Sequence, residues 1–171
     1  MTMDHSKTAS IDMQVLEQRL AGILPRIDIA RDSFIVCWEQ HRELRWESNP
    51  KITIDLLALA LSEDLKSYLF FYDLRKHQVV AIPEDITVLP KHVVLVEIPT
   101  EAFLDPIGVA RDFGQPDGFL LDSYPLKARH EAKLTAIEAS GLPELIRINR
   151  EKKKSRGIAG FFRRRVRKKG I

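Results

Sequence analysis

The residues best suited to nucleophilic chemistry are Cys37 and His41, which lie four positions apart. An imidazole that can accept the thiol proton is the minimum that a nucleophilic cysteine requires. The spacing places both side chains on one face of either a helix or a strand, so it does not distinguish the two elements. Buried cysteines are common and mostly unreactive, so we interpret the pair as a structural cysteine beside a surface histidine.

Metal and hydrolase motifs are absent from the sequence. His130 and Glu131 begin like a zinc-protease helix, but the position that needs a second histidine is Leu134. A single cysteine excludes an internal disulfide and a multi-thiolate zinc site. There is no nucleophile elbow, no phosphate-binding glycine loop and no dinucleotide-binding turn. We therefore expect a non-enzymatic protein without metal or cofactor, although an enzyme without a readable motif stays the third alternative.

Neighbouring carboxylates could in principle hold a metal ion. The closest groups are Glu63–Asp64, Glu84–Asp85 and Asp117–Asp122. Such groups arise easily in an acidic chain, and we expect these side chains to cap helices, form turns or face solvent.

The strongest functional signal is an asymmetry of charge. Residues 147–171 hold twelve Lys or Arg and one acid, for a net charge of +11. Residues 1–146 hold 15 bases and 23 acids, for a net charge of −8. An acidic body followed by a strongly basic end is typical of a folded domain with an interaction tail.

The basic tail combines cations with apolar residues at helical spacing. Four apolar residues of the tail are spaced so that a helix would carry one apolar stripe beside a basic face, which makes the tail amphipathic. They are Ile158, Phe161, Phe162 and Val166. The cations can neutralise phosphates, and the phenylalanines can stack on unpaired bases. The predicted nucleic-acid-binding residues are Lys152, Lys153, Lys154, Arg156, Phe161, Phe162, Arg163, Arg164, Arg165, Arg167, Lys168 and Lys169.

The tail predicts an accessory or regulatory protein that associates with DNA or RNA with little sequence specificity. Flexible Lys and Arg side chains contact phosphates, whereas base readout needs side chains held rigidly against base edges. In this hypothesis the acidic body engages a protein partner, and Trp38 and Trp46 are candidate interface residues. The alternative is an adaptor module whose tail docks on an acidic protein or an anionic membrane surface. No small-molecule substrate is predicted.

The chain length fits one domain and a tail. We expect residues 1–10 to be a disordered N-terminus, 11–150 a single acidic domain and 151–171 the basic interaction tail. The N-terminus lacks the apolar region of a secretory signal, and we expect a cytoplasmic protein.

The predicted fold class is α+β, with a small antiparallel sheet of three to five strands packed by N- and C-terminal helices. Hydrophobic periodicity, capping residues and turn signals place each element. The predicted helices are 11–24, 52–65, 106–113, 126–141 and one from Pro143 into the tail; the predicted strands are 68–73, 78–82, 86–89 and 93–98, while 33–37 fits either a strand or a helix.

Overall fold

The computed structural model describes residues 11–168, with side chains up to residue 157. The expectation for residues 1–10 therefore lies outside the described residues. The helices are α1 (Met13–Leu20), α2 (Trp38–His41), α3 (Glu101–Leu104), α4 (Pro106–Asp112) and α5 (Leu142–Lys168), and two 3₁₀ turns cover Leu56–Ala58 and Ile137–Ala139. The strands are β1 (Arg26–Ile29), β2 (Asp32–Cys37), β3 (Glu43–Trp46), β4 (Thr53–Asp55), β5 (Ala60–Leu61), β6 (Ser67–Asp73), β7 (Gln78–Val80), β8 (Val93–Pro99), β9 (Arg129–Glu131) and β10 (Lys133–Ala136).

The strands form two five-stranded sheets. The first sheet has the order β4-β3-β2-β1-β9, and only its β1–β9 pair is parallel. The second has the order β10-β8-β6-β5, with β7 also paired to β6. The chain passes from β9 to β10 through Ala132 alone, which joins the sheets at one edge. The predicted α+β class is confirmed, but the strands form two sheets rather than one.

The main core lies between the two sheets. Side chains alternate along each strand, so β6 buries Tyr68, Phe70 and Tyr72 and turns the residues between them away. Phe34 and Ile27 face them from the first sheet and are fully buried. Each such side chain contributes about 1.5–3 kcal/mol by leaving water.

A second, smaller core fixes the start of α5 to the outside of the second sheet. Leu142 and Leu145 of α5 pack in one cluster with Phe71 and Val93 of the sheet. Partly buried residues of the segment 82–89 complete this cluster. Apolar contacts therefore hold the first turn of α5 against this sheet face.

Three sequence predictions about local structure are wrong. The segment 52–65, predicted as a helix, forms β4, a 3₁₀ turn and β5, because Thr53–Asp55 pairs with β3. The segment 126–141, also predicted as a helix, forms β9, β10 and a 3₁₀ turn. Residues 86–89 form no strand and lie in the loop that α5 packs against.

The helices α1 and α4 follow their local signals, whereas the strands β1 and β3 were not predicted. Asp12 caps α1 through its side chain, which accepts from the amides of Gln14 and Val15. In α4, Pro106 occupies the first helical turn, and Gly114 beyond the end adopts a φ of 69°. The ambiguous segment 33–37 belongs to strand β2.

Candidate nucleic-acid interface and neighbouring sites

The basic end of the chain starts on a helix that is anchored to the body by polar contacts. Asn149 donates through Nδ2 to the backbone carbonyls of Glu84 and Ile86, each at 2.8 Å. Arg150 donates through Nε to the carbonyl of Thr87 at 2.8 Å. These carbonyls belong to a loop without strand pairing, so the helix supplies donors that the loop would otherwise lack.

Beyond this anchor the described side chains of α5 are exposed. Every residue from 151 to 157 is exposed. The exposed cations Lys152, Lys153, Lys154 and Arg156 therefore face solvent, where a polyanion could reach them. The remaining tail predictions concern side chains outside the described residues: Phe161, Phe162, Arg163, Arg164, Arg165, Arg167, Lys168 and Lys169.

The first cations of the tail share a groove with acidic residues. This groove, of about 470 Å³, is lined by Lys152, Lys153 and Arg156 on the helix and by Glu84 and Asp85 on the loop. The two carboxylates offset part of the positive potential at the base of the helix.

The two tryptophans predicted as interface residues occupy different environments. Trp38 is 5% exposed and belongs to the main core, and the Arg42 guanidinium lies 5.9 Å from its ring centre. Trp46 is half-buried and stacks on His77, with ring centres 4.2 Å apart. A partner has direct access only to Trp46, and the interface role of both residues stays a prediction.

Cys37 and His41 do not form a reactive couple among the described contacts. Cys37 is the last residue of β2 and is buried, whereas His41 ends α2 and is exposed. Burial raises the pKa of the Cys37 thiol. A thiol that holds its proton is a poor nucleophile, which supports the structural interpretation of this cysteine.

Two of the neighbouring carboxylates serve local structure. Asp64 accepts from the Ser62 hydroxyl and from the Lys66 amide. Asp117 pairs with Arg111 at 2.7 Å. Within residues 11–168, no three or more His, Cys, Asp or Glu side chains gather as metal ligands would.

A cluster that sequence reasoning missed joins the two sheets. Asp32 of β2 accepts from the Tyr72 hydroxyl at 2.5 Å and lies 2.7 Å from Nδ1 of His77. Tyr72 also meets Phe34 edge to face. Burial and the Asp32 contact raise the pKa of Tyr72, so its hydroxyl stays protonated and can donate. The arrangement links the sheets and fixes the imidazole orientation.

A second missed group is a buried ion pair. Arg19 of α1 donates from Nε and Nη2 to the two carboxylate oxygens of Asp105, at 3.0 and 2.9 Å. Its Nη2 also contacts Glu39 at 2.9 Å. Asp105 is fully buried, and Arg19 is 3% exposed. Arg19 lies four residues after Val15 and four before Ile23, so helical spacing places it on the apolar face, but the sequence does not show which acids it contacts.

Comparisons with protein-family models, with curated proteins and with solved structures find no match to this chain. Across the helices that the structure describes, none is both long enough and apolar enough to span a bilayer.

Proposed function

We propose that this chain is a non-enzymatic accessory protein that associates with DNA or RNA through its C-terminal basic helix. The observation that supports it best is the combination of an anchored helix start with an exposed basic continuation. Asn149 and Arg150 hold α5 against the body, and all residues from 151 to 157 face solvent. A helix fixed at one end presents its cations from a defined position on the body.

The dimensions of α5 suit a nucleic-acid backbone. From residue 151 to Lys168 the helix extends over about 27 Å, at 1.5 Å per residue. Duplex DNA carries one negative charge per about 1.7 Å of its axis, so several phosphates lie within this length. The nine Lys and Arg residues of this stretch are enough to neutralise about six phosphates.

The charge of the acidic body favours different partners for the body and for the tail. A net charge of −8 over residues 1–146 repels a polyanion, so the body turns away from nucleic acid while the helix engages it. The body is then free to contact a protein partner, as an accessory factor requires. Contacts of this kind are to phosphates, and we expect similar affinities for unrelated sequences.

The test compares two chains of equal net charge. Arg163→Gln/Arg164→Gln/Arg165→Gln removes three cations from the tail. The matched control Lys51→Gln/Lys76→Gln/Lys91→Gln removes three exposed cations from the body. Fluorescence anisotropy with labelled single- and double-stranded oligonucleotides measures the affinity of each chain.

We expect the tail variant to bind at least tenfold more weakly than the wild type and the control to bind within about twofold of it. Equal losses in both variants would show that net charge alone governs binding, which contradicts a tail interface. No binding by the wild-type chain at low salt would also overturn the proposal. Flotation with anionic vesicles would then test the membrane alternative.

A further inference from the structure

A cleft on the side of the body has the composition of an anion site. It has a volume of about 160 Å³ and lies between α1, the loop that leads into β1, and the segment before β9. Arg19, Arg26, Lys127 and Arg129 are among its lining residues, and no Asp or Glu lines it. Because the body as a whole carries an excess of acids, a cleft whose charged lining residues are all bases differs from its surroundings.

One residue that lines this cleft has a buried donor without an acceptor in the described part of the chain. The Nε of Arg26 is shielded from solvent and makes no hydrogen bond among the described residues. The same guanidinium reaches Glu47 only through Nη2, at 3.2 Å. Buried donors without acceptors are rare in folded proteins, because water has been removed and nothing replaces it. A rotation of the Arg26 side chain, which is 32% exposed overall, would turn this donor toward an oxyanion in the cleft.

Two of the cations lie directly beside each other in the sheet. Arg26 of β1 and Arg129 of β9 are register partners across the parallel pair. Like charges at such positions repel. Glu47 and Asp28 pair with the two guanidinia, but neither acid lines the cleft. A bound anion would offset the remaining repulsion from inside the cleft.

Lys127 and the apolar residues of the cleft indicate the class of ligand that the cleft would bind. Lys127 is exposed and forms no ion pair among residues 11–157, so its ammonium can turn to a ligand. The two guanidinia supply several N–H donors and Lys127 supplies an ammonium without an acid partner among these residues, a donor set that suits the oxygens of a phosphate group. Val15, Ile23 and Leu126 line the same cleft and offer contact to a small apolar substituent.

We propose that this cleft, defined by Arg26, Lys127 and Arg129, binds the phosphate group of a small phosphate monoester that carries an apolar substituent. The site is independent of the basic tail, since its residues belong to β1, to β9 and to the segment that leads into β9. Its ligand is a small molecule, so it adds an activity to the proposed association with nucleic acid.

The experiment titrates the ¹⁵N-labelled full chain with phenyl phosphate at pH 7.5 and follows backbone amide shifts by NMR. We expect saturable shifts at Leu24, Arg26 and Ala128, with inorganic phosphate binding more weakly because it lacks the ring. The variants Arg26→Gln and Lys127→Gln should each weaken binding at least fivefold while the rest of the spectrum keeps its dispersion. Because the second pKa of a phosphate monoester is about 6, binding should weaken at pH 5.

The matched control, Lys152→Gln/Lys153→Gln, removes two tail cations and should leave these shifts unchanged. An absence of saturable shifts at the three amides would overturn the proposal, as would equal affinity in the Arg26 and Lys127 variants. Tighter binding of benzoate than of phenyl phosphate would contradict the phosphate assignment. Oligonucleotide affinity should be unaffected by Lys127→Gln. The two measurements therefore distinguish a cleft that does not bind phosphate from a tail that does not bind nucleic acid.

Discussion

Asp105→Asn tests whether the buried ion pair holds α1 to the body. The substitution keeps the shape of the side chain and removes its charge. Arg19 is then left 3% exposed with one remaining carboxylate, that of Glu39, which is itself 33% exposed. No other acid contacts the guanidinium among the described residues.

The structure sets the expected magnitude. Removal of one partner of a buried pair costs about 3–5 kcal/mol, because a buried charge loses its compensation. Glu39 still contacts Nη2 at 2.9 Å, which places the expected loss at the lower end, about 3 kcal/mol. The free energy of unfolding of a natural domain is about 5–15 kcal/mol, so this loss is a large share of the total.

Urea unfolding followed by tryptophan fluorescence measures the effect. With a slope of about 2 kcal/mol per M, the midpoint should fall by about 1.5 M. The melting temperature should fall by about 6–12 °C for a chain of this length. The control Glu144→Gln breaks an exposed pair with Arg147 on α5 and should leave the midpoint unchanged.

A fall in the midpoint of less than about 0.3 M for Asp105→Asn would refute the reasoning. The double variant Arg19→Met/Asp105→Leu gives a second check. Apolar replacement of both partners leaves no buried charge, so this chain should be more stable than Asp105→Asn.

Three other perturbations probe buried groups. Gly108→Ala should lower the urea midpoint: alanine is normally the better helix former by about 1 kcal/mol, but here its Cβ would overlap the Asp105 carboxylate, and a raised midpoint would contradict this contact. Burial raises the pKa values of Tyr68 and Tyr72 above the ordinary 10.0, so their stabilisation is complete below pH 10 and is lost as the pH rises above it. The loss is up to about 1.4 kcal/mol per pH unit for each tyrosine, and urea midpoints between pH 9 and 11 should fall less steeply in Tyr68→Phe/Tyr72→Phe; equal slopes would refute the assignment. Burial lowers the pKa of His130 below 6.5, so the unfolded chain binds the extra proton and stability is lost as the pH falls below 6.5. Midpoints at pH 7.5 and 5.0 should therefore differ less in His130→Asn than in the wild type, and an identical difference would argue against a neutral buried imidazole.

Local sequence patterns predicted those helices and strands whose capping residues, turns or hydrophobic runs all lie within a few residues of each other. The hairpin of β6 and β7 follows from two β-branched and aromatic runs around a polar turn. The helix α4 follows from Pro106 at its start and Gly114 beyond its end.

In the two segments wrongly predicted as helices, pairing with other strands outweighs the local helical pattern. Leu-Ala-rich sequence favours a helix in the segment 52–65, yet the β3 edge pairs with Thr53–Asp55 and sets an extended chain. In the segment 126–141, Leu134 is 42% exposed while His130 is buried, so the apparent helical stripe does not share one face. The backbone of this segment instead passes from the first sheet, through β9, to the second sheet, through β10.

Some features of the candidate sites could likewise be predicted from local sequence, and others depend on contacts between distant residues. Charge asymmetry is visible in composition, so the basic tail could be predicted without a structure. The contacts of Asp32 with Tyr72 and His77 span 40 and 45 residues, and no local spacing indicates them. The cleft at Arg26 depends on the parallel pairing of β1 with β9, which periodicity alone could not give.

The salt dependence of duplex DNA binding tests the central claim most directly. If the tail neutralises about six phosphates, log affinity should fall with log salt at a slope near −5 for the wild-type chain. Removal of three tail cations in Arg163→Gln/Arg164→Gln/Arg165→Gln should make that slope shallower by about 3. A wild-type slope near zero, or an unchanged slope in this variant, would contradict a phosphate-binding tail.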